Sequence, residues 1–205
     1  MELSVENLFI KPVVLSKTLY TFTEEELNYI KNDIPIQANV GNTVSISNNV
    51  IEESNGKLDN IKKFIELGLK FYVKNIIAPL SDNIEFYISN SWTNYTKKMN
   101  HHHKHLHNNS LISGCLYIDA DPTCNSIAFF NEGYSSVLIE SEQQNPYNSQ
   151  SWNVPVKTGQ LILFNSSMVH GVPPSDFEGT RISLAFNVFV KGDIGKDTLW
   201  KGHRI

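Results

Sequence analysis

The feature that most limits how this chain can fold is the succession of short apolar runs beginning at Ile84. IEFYISNSWTNY, SGCLYIDA, SIAFF, SVLIES, WNVPV, GQLILF and RISLAFNVFV follow one another, separated by Gly, Pro, Asn and Asp. Short alternating runs bounded by turn residues read as strands, because successive side chains on a strand point to opposite faces. No segment of helical period interrupts them. The pattern therefore predicts an antiparallel sandwich or barrel of about eight strands.

The residues before Ile84 have a different character. LFIKPVVLSKTLY is apolar and β-branched and reads as an opening strand. Thr23 to Glu26 form a capping box, in which Thr23 accepts from an orphan helix amide and Glu26 reaches back. That predicts a helix to about Asn32, ended by Pro35. Residues 36–56 are rich in Asn and Ser and read as a polar loop with one short strand over Thr43–Ser47. Leu58, Ile61, Ile65, Leu69, Tyr72 and Ile76 recur at three- and four-residue spacing, giving a second helix over Leu58–Ile77 with one apolar face, stopped by Pro79. The expected organisation is one domain: an N-terminal strand and helices over 1–83, a β-rich core over 84–190 and a tail over 191–205.

Composition narrows the function classes. A chain of 205 residues, 40% hydrophobic, can bury a full core. Its formal charge of −4, with no basic block, argues against nucleic acid as a partner. Cys115 and Cys124 are not in a CxxC spacing and read as reduced thiols of a cytoplasmic protein. The opening residues carry acidic rather than basic side chains, and no apolar run approaches a membrane span.

Within this frame, HHHKHLH at residues 101–107 places five histidines in seven positions. On a strand, an HxH pair aims two imidazoles at one point, as a metal site requires. Three overlapping pairs exist, His101/His103, His103/His105 and His105/His107, and spacing does not choose among them. The alternative is a solvated His-rich loop. A third ligand would come from His170, which follows the run GQLILF; His203, in the tail, reads as a surface residue. Arg181 and Ser183 lie two apart on an otherwise apolar strand. An arginine there needs an anion, either a structural carboxylate or a carboxylate ligand held by the guanidinium fork and the hydroxyl.

Taken together, these residues resemble the iron(II)- and 2-oxoglutarate-dependent oxygenases, whose pattern is HxD or HxE, a distal His and then an Arg, often as RxS. More narrowly, the chain resembles a small family of such oxygenases found in bacteria and cyanophages. The matching pieces are Trp92 with Asn94, His105 with His107, SGCLYI, GQLILFNSSMVHGVPP and RISLAFN, covering roughly residues 84–190. The resemblance implies a double-stranded β-helix, or jelly roll, flanked by the two helices. It selects His105, His107 and His170 as ligands of Fe(II), leaving His101, His102 and His103 at the rim. It assigns Arg181 and Ser183, with Asn94 and Tyr117, to 2-oxoglutarate. The implied reaction consumes O2, decarboxylates 2-oxoglutarate and hydroxylates an unknown substrate.

His107 departs from the family pattern, standing where a carboxylate is usual. Two further readings therefore accompany the first: a three-His, cupin-like metalloenzyme that does not use 2-oxoglutarate, and a non-catalytic jelly-roll binding module. The polar segments 36–56 and 140–152 are candidate lids, and a phage source would place the protein in the host cytoplasm.

Overall fold

A computed structural model describes residues 1–80, 83–133, 137, 139–195 and 203–204. In chain order the elements are β1 (Val13–Leu15), α1 (Glu24–Asn28), β2 (Ile36–Asn39), β3 (Asn42–Ser45), α2 (Val50–Glu53), α3 (Asp59–Tyr72), β4 (Ile84–Thr96), β5 (His102–His105), β6 (Ile112–Asp119), β7 (Ser126–Phe130), β8 (Ser151–Pro155), β9 (Leu161–Asn165), β10 (His170–Val172), β11 (Arg181–Ile194) and β12 (His203–Arg204). The named strands pair antiparallel in two sheets. The larger runs β1-β9-β6-β11-β4-β3-β2, with β12 on the end of β11; the smaller runs β5-β10-β7-β8. This is the mainly β jelly roll, with helices on the outside.

The long β11 lies at the centre of the larger sheet, between β4 and β6. Its alternation sorts two environments. Ile182, Leu184, Phe186 and Val188 enter one apolar cluster with Ile61, Ile65 and Leu69 of α3. Arg181, Ser183, Ala185 and Asn187 face the other way, toward the smaller sheet, and are buried as well. A second apolar cluster (Tyr117, Ile127, Phe129, Ile162, Phe164 and Met168) fills the space between the sheets. One glycine is required by this packing. A Cβ on Gly114 would lie 2.4 Å from the ring of Phe186, so only glycine lets that ring seat under β6.

The N-terminal region differs from expectation in two places. The Thr23/Glu26 capping box is present, with Glu26 Oε2 accepting from the Thr23 amide at 2.8 Å. Residues 36–56, however, are not a loop with one strand: they form the β2–β3 hairpin and the short α2. Asn42 and Ser45, both buried, anchor β3 to β4, where Ser45 Oγ accepts from the Thr93 amide. Hydrophobic period did not reveal this because the anchoring is polar. The second helix also ends differently. A π turn over Val73–Ile77 widens the last turn, so Ile76 leaves the apolar face and is 40% exposed. The expected strand over 136–141 falls partly outside the described residues, and its described positions are not in a strand. The side chain of His203 also lies outside them.

Candidate functional site

The site is built where the two sheets face each other. His105 on β5 and His170 on β10 are directly opposed cross-strand partners, so their rings stand on one face, with centroids 4.4 Å apart. His107 follows β5 and brings a third ring, 5.2 Å from His105 and 5.0 Å from His170. One nitrogen from each of the three lies within 4.8 Å of the others.

The opposite ring nitrogens define how these imidazoles are protonated. His105 Nδ1 lies 2.8 Å from the His103 carbonyl, His170 Nδ1 lies 2.9 Å from the Met168 carbonyl, and His107 Nδ1 lies 2.5 Å from Asn187 Oδ1. Each partner is an acceptor, so each Nδ1 carries the hydrogen and each Nε2 presents a lone pair. Supporting groups of this kind fix the tautomer and orientation of histidines that bind metal. Ser113 and Ser166 continue the support behind His107: Ser113 Oγ is 2.7 Å from His107 Nδ1, donates to Asn187 Oδ1 at 3.0 Å and lies 2.8 Å from Ser166 Oγ.

Burial keeps the rings neutral. Desolvation lowers the pKa of His170 to about 3 and that of His107 to about 4, opposed in part by their hydrogen bonds, and lowers that of His105 in the same direction. The set is thus deprotonated at physiological pH without a metal to displace the protons.

Across the cleft lies the second half of the site. Arg181 is 3% exposed, its Nε has no hydrogen-bond partner, and its guanidinium stands 5.0 Å over the ring of Tyr117. Among the described residues no carboxylate pairs with it. Tyr117 Oη is equally unpartnered, and burial raises the pKa of this phenol. Thr96, the cross-strand neighbour of Arg181, has a second buried hydroxyl without a partner. Ser183 is buried opposite Asn94 and Tyr117. Asn94 Oδ1 accepts from Asn42 Nδ2 at 3.4 Å. Unpaired buried polar groups are rare and unfavourable. Here two such hydroxyls, Tyr117 and Thr96, stand beside a buried cation whose own Nε is unpartnered, an arrangement suited to an anion with several acceptor oxygens.

The structure therefore brings together all seven residues singled out in the sequence. His105, His107, His170, Arg181, Ser183 and Asn94 line one narrow cleft of about 30 Å³, with Tyr117 behind the arginine. The cleft shares Trp92, Asn94, His102, His105 and His107 with a wider vestibule of about 380 Å³, bordered by Gln37, Asn39 and residues 44–48. The hairpin segment does border the entrance, whereas residues 140–152 line neither space. Sequence reasoning passed over Thr96, Ser113 and Asn187. Alternation from Arg181 would have found Asn187, since it shares a face with Arg181 and Ser183. His102 is also nearer the centre than a rim position implies: it lines both cleft and vestibule, and burial lowers its pKa to about 3.

The donor set fits a divalent iron and a dicarboxylate in most respects. Three neutral imidazoles suit Fe(II), and a buried arginine beside unpaired hydroxyls suits a far carboxylate. The deviation is one of charge. Among the described residues no acidic side chain lines the cleft, so any negative charge balancing the metal has to come from bound ligands.

Comparison with known proteins bears on the fold and on the family the chain is similar to. Residues 90–187 match the family described as "Putative 2OG-Fe(II) oxygenase". The fold resembles an oxidoreductase of the 2OG-Fe(II) oxygenase family from Burkholderia pseudomallei, with a TM-score of 0.58 and 12% identity, covering 86% of this chain and 83% of that one. It also resembles HygX from Streptomyces hygroscopicus with nickel, 2-oxoglutarate and hygromycin B bound (TM-score 0.55, 12% identity, 87% and 82% covered). A Pseudomonas putida prolyl-4-hydroxylase gives a TM-score of 0.52 at 10% identity, with 86% and 92% covered. Among curated proteins, none matches the chain.

Proposed function

We infer that this chain, a 2OG-Fe(II) oxygenase by its match over residues 90–187, hydroxylates a substrate delivered through the vestibule at a three-histidine iron centre. His105, His107 and His170 would hold the metal through Nε2. Arg181 would hold the far carboxylate of 2-oxoglutarate, with Ser183, Tyr117, Thr96 and Asn94 as hydrogen-bonding neighbours. When bound, iron, 2-oxoglutarate and O2 supply the oxidising chemistry, with 2-oxoglutarate decarboxylated to succinate.

The protein's own part is placement and exclusion of water. β5 and β10 set His105 and His170 side by side, while Asn187, on the same strand as Arg181, holds the His107 ring by its Nδ1–H. One strand thus sets both the orientation of a metal ligand and the position of the anion anchor. The narrow cleft keeps bulk solvent from the arginine, which strengthens its attraction for a carboxylate.

One observation carries this reading: a buried Arg181, with no carboxylate partner among the described residues, lies in the same cleft as three histidines whose Nδ1 atoms face acceptors. Succinate formation from 2-oxoglutarate with Fe(II) and ascorbate tests it. The expected result is metal-dependent succinate that disappears in His170→Ala and Arg181→Ala. Since His107 replaces the usual carboxylate, a three-His centre that does not use 2-oxoglutarate is the second reading. It predicts metal binding unchanged by Arg181→Ala and no succinate from any variant.

A further inference from the structure

The strand that carries His105 holds a second group of three imidazoles. His102, His103 and His105 each offer one nitrogen within 4.8 Å of the others, and of the three pairs only His103/His105 is set by the alternation of a regular strand. A β-bulge explains how adjacent residues converge. His105 pairs with His170 and His102 with Val172, so β5 has one more residue than β10 over this interval. The extra residue turns His102 and His103 toward the same side, with ring centroids 5.0 Å apart, and 4.5 Å and 5.2 Å from His105. Gly171 makes the bulge sterically possible: a Cβ there would lie 3.0 Å from the His102 carbonyl oxygen and 3.3 Å from that of His103.

We propose that His102, His103 and His105 form a second metal site at the mouth of the cleft, overlapping the inner set and taking a borderline divalent ion such as Zn(II). Two of its rings are half-buried within the vestibule; His103 is exposed and free to close the distance to the roughly 2.0–2.1 Å bonds that zinc makes to imidazole. Three protein nitrogens leave the fourth tetrahedral position to water. The sharing of His105 gives the site its consequence. Its Nδ1–H is committed to the His103 carbonyl, so its single free nitrogen serves one ion at a time. The outer site is therefore complete only when the inner set releases His105, and an ion held there competes with the inner centre.

Zinc titration of His170→Ala, with and without His103→Ala, tests this. Neither 2-oxoglutarate nor Arg181 enters the measurement, so its outcome is independent of the oxygenase reading. With the inner set broken, His170→Ala is expected to bind one zinc per chain. The His170→Ala/His103→Ala double variant is expected to bind it roughly 100-fold more weakly or worse, beyond the loss usual for a residue that merely supports a ligand. If His170→Ala unfolds below the titration temperature, His107→Ala, whose ring is less buried, replaces it in both arms. A folded inner-set variant that takes up no zinc, or a double variant that binds as tightly as its parent, overturns the proposal.

Discussion

The two faces of β11 are built from alternate residues of one strand, yet they do opposite things. Ile182, Leu184, Phe186 and Val188 join the largely apolar cluster under α3, where their side chains are satisfied by packing. Arg181, Ser183 and Asn187 are as deeply buried but hold a cation with an unpaired nitrogen and a hydrogen-bonded support for His107. Burial on the first face stabilises the fold. On the second it creates unmet polar demand, which a folded chain tolerates where a ligand meets it.

The contrast predicts stability effects that divide by face. Phe186→Ala should destabilise by roughly 3–5 kcal/mol in urea denaturation, through lost burial and the cavity left beneath Gly114. Arg181→Ala should leave the ligand-free protein at equal or higher stability, since it removes a buried charge that has no carboxylate partner among the described residues. Equal losses from the two variants would erase the distinction between the faces.

Asn187→Leu gives a smaller effect and sharpens the polar face. It removes the shorter of the two contacts that hold His107 Nδ1–H, leaving Ser113 Oγ, so metal affinity should fall by about 10- to 100-fold while the chain stays folded. Isothermal titration with Ni(II) would measure it.

The pH dependence follows from the histidines. The folded pKa values of His102, His107 and His170 lie at about 3 to 4, below an unfolded value of 6.5. As pH falls below 6.5 the unfolded chain takes up protons that the folded one resists, so stability should decline between pH 6.5 and about 3. Thermal melts of metal-free protein should show this fall, and bound metal should offset part of it. The smallest effect is expected from Thr96→Val. Removing an unpaired hydroxyl beside Arg181 should be neutral or mildly stabilising, by up to about 1 kcal/mol, while weakening 2-oxoglutarate several-fold.

How much of this was legible in the sequence varies with the kind of interaction. Period-two runs announced the β core because side-chain direction on a strand follows sequence parity. The same parity placed Arg181 beside Ser183. The β2–β3 hairpin stayed hidden because Asn42 and Ser45 anchor it through hydrogen bonds, which leave no hydrophobic period. The loss of Ile76 from its helix face required knowing that the last turn is a π turn. The choice of His105 and His107 from the histidine run came from the family pattern; spacing alone left three pairs. The position of His102 in the cleft depends on a one-residue bulge, and no local composition marks it.

The most direct test of the central claim is 2-oxoglutarate binding to Ni(II)-loaded protein, measured calorimetrically for the wild type and for Arg181→Ala. If the buried guanidinium is the anchor for the far carboxylate, the variant should bind the metal normally but lose roughly 2–5 kcal/mol of 2-oxoglutarate affinity. Equal affinity in the two proteins, or no 2-oxoglutarate binding by the metal-loaded wild type, would contradict it.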